Sequence, residues 1–279
     1  MINLVAVAVG IYAVLVGGLF LAQRQLIYYP SQTLASPAEA GIPEMQVLRV
    51  TTDDGLGLTF WYRPADKGQP TLVYFHGNGG NLSGRGFKVR SYLNAGYGVL
   101  LAAYRGYGGN PGKPSEAGLY SDARAQLKFL ESQDVAPRDW VLYGESLGSG
   151  VAVHMAFEQA GAGGQDEKPA PVGAVVLEAP FSSLGDAAQA HYPYVPARLM
   201  IRDRFDSLAK IDRINAPVFI FQGELDGVIS PIQGKRLFEA ALEPKQAKWV
   251  AGAGHNNLYD FGVGDMVIDF VSKSHGVGR

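Results

Sequence analysis

Residues 140–150 read Trp140-Val141-Leu142-Tyr143-Gly144-Glu145-Ser146-Leu147-Gly148-Ser149-Gly150. An apolar run enters this segment and a helix-like run, Gly150 to Glu158, leaves it, so it reads as strand, sharp turn and helix. In that context Gly-x-Ser-x-Gly lifts a serine hydroxyl out of the sheet, and the flanking glycines let strand and helix pass without a Cβ clash. Ser146 is therefore the candidate nucleophile. The competing reading, glycine and serine meeting by chance in a loop, loses ground only if partners for a nucleophile stand elsewhere in the chain.

Working outward, short runs rich in β-branched and aromatic residues recur at Thr71 to Phe75, Val99 to Tyr104, Ala174 to Leu177, Pro217 to Phe221 and Lys248 to Val250. Helical patterns lie between several of them. One places Leu119, Ala123, Leu127 and Leu130 on a single face; another starts at Ser230-Pro231 and carries Leu237, Phe238, Ala241 and Leu242. The last carries Leu258, Phe261, Val267, Phe270 and Val271. Ahead of these units, Gln46 to Thr51 and Leu56 to Tyr62 read as a hairpin turning at Asp53-Asp54-Gly55. Two antiparallel strands followed by repeated strand-helix units predict an α/β fold, a mostly parallel central sheet with helices on both faces. Gly161 to Pro171 reads as a polar connector.

Composition sets outer limits. A chain of 279 residues that is 47% apolar can bury a sizeable core, and a net charge of −2 gives no reason to expect nucleic acid as a partner. With 0 cysteines, disulfide frameworks, thiolate metal sites and cysteine catalysis are excluded. The amino terminus differs from the rest. Leu4 to Ala22 carries no charge and as a helix would extend about 28 Å, close to the roughly 30 Å of bilayer hydrocarbon. A cleaved secretory signal fits less well, because no Lys or Arg precedes the run and Phe20-Leu21-Ala22 lacks a small-x-small site. A helix docked on the protein's own surface would waste an uninterrupted apolar circumference. The expected organisation is a single-pass membrane anchor over residues 1–25, a linker over 26–45 with Tyr28-Tyr29 at the headgroup interface, and a catalytic domain over 46–279. Arg24 alone speaks to orientation.

Function in such a sheet gathers at the carboxyl ends of its strands. Past Thr71 to Phe75 comes His76-Gly77-Asn78-Gly79-Gly80-Asn81, whose glycines free backbone N–H groups to face a ligand. With the N–H of Leu147, the N–H of Asn78 would form an oxyanion hole. A phosphate loop is excluded here, since the G-x-x-x-x-G-K-[ST] pattern is absent; the near miss at Gly112-Lys113 has Tyr107 and Pro114 at the required positions. Serine needs an imidazole to take its proton, and the imidazole needs an acid. Of the 5 histidines, His255 follows the final strand and leads into the last helix. His76 opens the glycine loop and is read as orienting it, His154 lies two helical turns past Ser146, and His275 is in a glycine-rich tail read as exposed. His191 falls in the cover between Pro180 and Pro217 and is a substrate-contact candidate. Asp226, just past another strand, supplies the acid. Glu178 is the alternative, with a strand-end carboxylate bonded to loop backbone as its plainer reading; Glu224 would point differently.

The order Ser146, Asp226, His255 is that of the α/β-hydrolases. From Leu26 onward the chain resembles their membrane-anchored serine-hydrolase branch, with its lysophospholipase-like and protein-depalmitoylating members. The resemblance rests on Leu26-Ile27-Tyr28-Tyr29-Pro30, His76 to Asn81, Tyr104-Arg105-Gly106-Tyr107-Gly108, Pro114-Ser115-Glu116, Gly144 to Gly148, Asp226 and Gly254-His255. It implies an α/β-hydrolase fold and a serine-triad hydrolase working through an acyl-enzyme without cofactor or metal. Asn110 departs from the pattern, standing where family members often carry serine. A short lid within 181–216, holding Phe181, Tyr192, Tyr194, Leu199, Met200 and Phe205, suggests an apolar acyl ester or thioester near a membrane, with His191, Tyr192 and Tyr194 as substrate contacts; plain core packing accounts for the same residues. Arg105, Arg202 and Arg204 either engage an anionic head group or pair with carboxylates such as Asp203 and Asp206. A peptidase of the same fold and a non-catalytic binding protein are the alternatives.

Overall fold

A computed structural model describes residues 2–161 and 169–275, without the side chains of Ile2 and His275. Most of the connector expected from Gly161 to Pro171, and the exposure expected of His275, lie outside the described residues. In chain order the elements are α1 (Ile2–Ile27), β1 (Tyr29–Pro30), β2 (Gln46–Thr51), β3 (Gly57–Arg63), β4 (Thr71–Phe75), β5 (Gly79–Gly80), α2 (Gly86–Asn94), β6 (Gly98–Leu101), α3 (Glu116–Ser132), β7 (Trp140–Glu145), α4 (Leu147–Gln159), β8 (Ala174–Glu178), α5 (Leu184–His191), α6 (Ala197–Met200), β9 (Val218–Gly223), α7 (Pro231–Ala240), β10 (Lys245–Val250) and α8 (Val263–His275).

Eight strands form one sheet in the order β10-β9-β8-β7-β4-β6-β3-β2, with β3 antiparallel to both its neighbours and the other pairings parallel. The central strands β4, β8 and β9 are buried along their whole length. That is why they read as continuous apolar runs, whereas the edge strand β10 alternates. Helix α3 is capped by Ser115, which accepts from the Gly118 N–H, and buries Leu119, Ala123, Leu127 and Leu130 as their spacing predicts. Strand β6 ends at Leu101 rather than Tyr104, because the Gln126 side chain takes up both the N–H and the carbonyl of Ala103. Helix α7 begins at Pro231 without a side-chain cap from Ser230, and since it ends at Ala240, Leu242 is left exposed. Phe261 belongs to a separate 3-10 turn ahead of α8 and is exposed as well.

The stretch expected as a linker, 26–45, is instead built into the domain. Tyr28, Ile42 and Met45 are core residues, and β1 pairs in parallel with β5, placing Tyr29 beside Gly79. Tyr28, expected at a headgroup interface, is buried and donates its hydroxyl to Asp203 at 3.1 Å. Among the described residues α1 is the helix long and apolar enough, by length and composition, to cross a membrane. Its first turns are exposed, but from Val16 onward one stripe (Val16, Leu19, Phe20, Gln23, Ile27) is partly covered by the rest of the protein.

Candidate active site

Ser146 occupies the single residue between β7 and α4 and carries φ 49°, ψ −112°. A non-glycine residue in the left-handed region costs about 1–3 kcal/mol and is retained where its surroundings dictate it. Here the Ser146 N–H is held by the Glu178 carbonyl at 2.8 Å and its own carbonyl accepts from the Ser149 N–H at 2.9 Å. Gly148 is needed for the approach of the neighbouring loop, since a Cβ there would lie 2.0 Å from the Phe75 carbonyl oxygen.

Two further loops bring in the partners. The loop after β9 carries Asp226 and the loop after β10 carries His255, and they are zipped together by Glu224 N–H to Val250 O and Leu225 N–H to Ala253 O. Gly223 makes this possible, because a Cβ there would sit 2.3 Å from the Ala253 carbonyl oxygen. The result is a relay. His255 Nε2 stands 3.0 Å from Ser146 Oγ, and His255 Nδ1 stands 2.8 Å from Asp226 Oδ2. The other Asp226 oxygen accepts from the Val228 and Ile229 N–H groups, each at 2.8 Å. Burial pushes the Asp226 carboxyl up, but the hydrogen bond and charge of His255 and these two amides outweigh it and hold it below the usual carboxylate range.

Asn78 and Leu147 both line the cavity beside Ser146. The Asn78 loop is fixed from three sides. Its carbonyl accepts from the Tyr29 N–H at 3.0 Å and the Tyr107 hydroxyl at 2.8 Å, its side-chain amide donates to Ile27 O at 2.9 Å, and the Gly77 N–H reaches Glu145 Oε2 at 3.4 Å. His76 is buried, with Nδ1 2.7 Å from the Gly77 carbonyl, and burial pushes its imidazole down to about 3. It therefore remains neutral and shapes the loop. His154 is stacked on Tyr120 and bonded to Glu158, away from Ser146.

The cavity over Ser146 has a volume of about 340 Å³. The lid supplies His191 and Tyr192 to its lining; Tyr194, expected with them, is not part of it and lies exposed, its carbonyl accepting from the Tyr12 hydroxyl. His191 Nε2 is 2.7 Å from the Val228 carbonyl. Leu19, Phe20, Gln23, Leu26 and Ile27 of α1 complete the wall, which the sequence reading did not foresee. Their signal was available: Gln23 interrupts an apolar run one helical turn before Ile27.

Beneath the site lies a charged cluster that sequence reasoning also missed. Glu145 is bonded to Arg85 at 2.9 and 3.2 Å and to the Tyr74 hydroxyl at 2.9 Å, while Lys88 bridges it to Glu178. Glu178 is bound to Lys88 Nζ at 2.7 Å and the Tyr143 hydroxyl at 2.5 Å, not to loop backbone as its plainer reading had it. Of the two expectations for the arginines, carboxylate pairing holds for Arg105, though with other partners than Asp203 and Asp206. Arg105 pairs with Asp54 and Asp122, Asp203 pairs with Arg24, and the Arg202 guanidinium lies over the Phe20 ring. Among the described residues no group of three His, Asp or Glu side chains is placed to hold a metal ion.

No protein-family model matches the chain. It is 39% identical over 238 residues to an uncharacterized protein of Mycobacterium tuberculosis, covering 84% of this chain and 81% of that one. It is 32% identical over 203 residues to lysophosphatidylserine lipase ABHD12 of Danio rerio (66% of this chain, 51% of that one) and 31% identical over 196 residues to human alpha/beta hydrolase domain-containing protein 17B (69% and 62%). Among solved structures it is similar to the Pyrococcus furiosus esterase Pf2001, with TM-score 0.68 at 20% identity over 88% of this chain and 98% of that one, and to an alpha-beta hydrolase of Vibrio vulnificus, with TM-score 0.70 at 20% identity over 86% and 88%. Sheet order and these likenesses define the α/β-hydrolase fold. The chain belongs to the α/β-hydrolase superfamily, and the relatives it resembles include the α/β-hydrolase-domain proteins ABHD12 and 17B.

Proposed function

We propose that the protein is a serine hydrolase that cleaves the carboxylic ester or thioester of an apolar acyl substrate through an acyl-enzyme. The observation that carries this reading is the relay from Asp226 through His255 to Ser146 Oγ, with spacings of 2.8 and 3.0 Å. His255 Nδ1–H donates to Asp226, which leaves the Nε2 lone pair facing the Ser146 hydroxyl. On attack, the proton passes from Oγ to Nε2 while Oγ bonds to the acyl carbon. The carbonyl oxygen becomes an oxyanion, received by the N–H groups of Asn78 and Leu147; one such donor contributes about 2.7–4 kcal/mol in a comparable site. His255 then returns the proton to the departing alcohol or thiol, and water repeats the cycle to release the acid.

Substrate class follows from the cavity, whose walls are mainly Leu, Ile, Val, Ala and aromatic side chains. The lipase activity in the name of the relative ABHD12 supports a lipid ester. In this reading residues 1–25 anchor the protein in the membrane and the remainder forms the catalytic domain. The test is turnover of matched short-chain ester, long-chain thioester and peptide substrates by wild-type protein and Ser146→Ala. Wild-type turnover of the acyl substrates should fall by about 10⁴ to 10⁶ in the variant. A variant as active as wild type removes Ser146 from its role, and preference for the peptide would make the protein a peptidase.

A further inference from the structure

The cavity over Ser146 is closed on one side by the apolar helix itself. Leu19, Phe20, Leu26 and Ile27 of α1 line it beside lid residues such as Leu184, Tyr192 and Met200. The contact is built with polar groups as well as apolar ones. Gln23 Oε1 accepts from the Arg202 N–H at 2.7 Å, and Arg24 donates to both oxygens of Asp203 at 2.9 and 3.0 Å. Asp203 is buried and also receives the Tyr28 hydroxyl. Nearer the amino terminus, the Tyr12 hydroxyl donates to the Tyr194 carbonyl at 2.8 Å. The lid is thus clamped along α1 from Tyr12 to Tyr28.

Length now sets a constraint. The exposed part of α1, Asn3 to Leu15, extends about 20 Å at 1.5 Å per residue, short of the roughly 30 Å of hydrocarbon. The missing distance, about 10 Å, equals the run Val16 to Ala22, one face of which is partly covered by the rest of the protein and carries the Phe20 ring under the lid residue Arg202. A crossing by this helix therefore draws the lid into the lipid with it. The outward lid surface suits that position: Leu199 is 88% exposed and Tyr194 63% exposed.

We propose that the docked turns of α1 form one wall of the acyl pocket and that the lid lies in the lipid beside them, so the acyl chain passes from bilayer to Ser146 without crossing water. The substrate half of this proposal rests on the acyl-hydrolase reading above; the position of the lid does not. It also makes α1 part of the finished enzyme, not a segment to be removed.

Two measurements on the full chain in phosphatidylcholine vesicles test it. Leu19→Trp fills the pocket from the helix side, and should lower the ratio of palmitoyl- to butanoyl-thioester kcat/KM by at least about tenfold. Val9→Trp, on the exposed part of the same helix, should leave that ratio at the wild-type value. Equal ratios in Leu19→Trp and wild type would overturn the pocket wall. Separately, the emission added by Leu199→Trp should be quenched by phosphatidylcholine brominated on its acyl chains; unquenched emission would put the lid in water and overturn the lipid route. Wild-type protein inactive on every ester and thioester would refute the hydrolase reading instead, and quenching would still decide the position of the lid.

Discussion

Two carboxylates stand at the ends of neighbouring strands of the same sheet, and they meet different surroundings. Asp226 follows β9 and Glu178 ends β8. Asp226 faces His255 and two backbone amides at the rim, and these hold its carboxyl below the usual range despite burial. Glu178 points beneath the rim to Lys88 and Tyr143, where burial pushes its carboxyl up. Residue type and strand position do not separate a relay acid from a structural one. What separates them is the group each oxygen meets: a titratable imidazole that leads on to a hydroxyl, or a fixed ammonium and a phenol.

The comparison can be broken by exchanging each carboxylate for its amide. Asp226→Asn keeps the shape but favours the wrong imidazole tautomer, so kcat should fall by about 10⁴. Glu178→Gln leaves the relay intact, and kcat measured on the same substrate should stay within about tenfold of wild type. If Glu178→Gln costs as much turnover as Asp226→Asn, the roles assigned here are reversed. The expected loss for Glu178→Gln is in stability, about 1–3 kcal/mol by chemical denaturation, because one of the two oxygens that accept from Lys88 Nζ and the Tyr143 hydroxyl becomes an NH2 donor.

The smallest effect concerns pH. Because the folded Asp226 pKa is depressed, its contribution to stability is present above the ordinary carboxylate value of about 3.9 and is lost as pH falls through the lower, folded value. Glu178 has the opposite sign. Its folded pKa is raised, so its contribution is most favourable below about 4.3 and declines as pH rises from there through the folded value. As pH rises from 3 to 7, the denaturation midpoint of Asp226→Asn should therefore fall relative to wild type and that of Glu178→Gln should rise relative to wild type.

Much of this arrangement was legible in the sequence. Gly-x-Ser-x-Gly between a strand and a helix, a glycine loop after Phe75, and Asp226 and His255 each just past an apolar run are local patterns, and local patterns survive in a one-dimensional reading. The partners of Glu178 and Arg105 are of another kind. Lys88 is 90 residues from Glu178, Asp54 is 51 from Arg105, and no spacing marks such pairs. The docked half of α1 was missed for a different reason. An apolar helix facing lipid and one facing an apolar cavity carry the same residues, so hydropathy cannot tell the docked half from the free half. The polar residues Gln23 and Arg24 at its end, bonded to lid residues Arg202 and Asp203, mark where the environment changes.

The central claim is that one hydroxyl, activated by one imidazole, performs the chemistry. Intact-protein and peptide mass spectrometry after reaction with a fluorophosphonate tests it most directly. The account predicts a single adduct on the peptide carrying Ser146, absent in Ser146→Ala and formed far more slowly in His255→Ala. An adduct on another residue, or labelling that persists in Ser146→Ala, would contradict it.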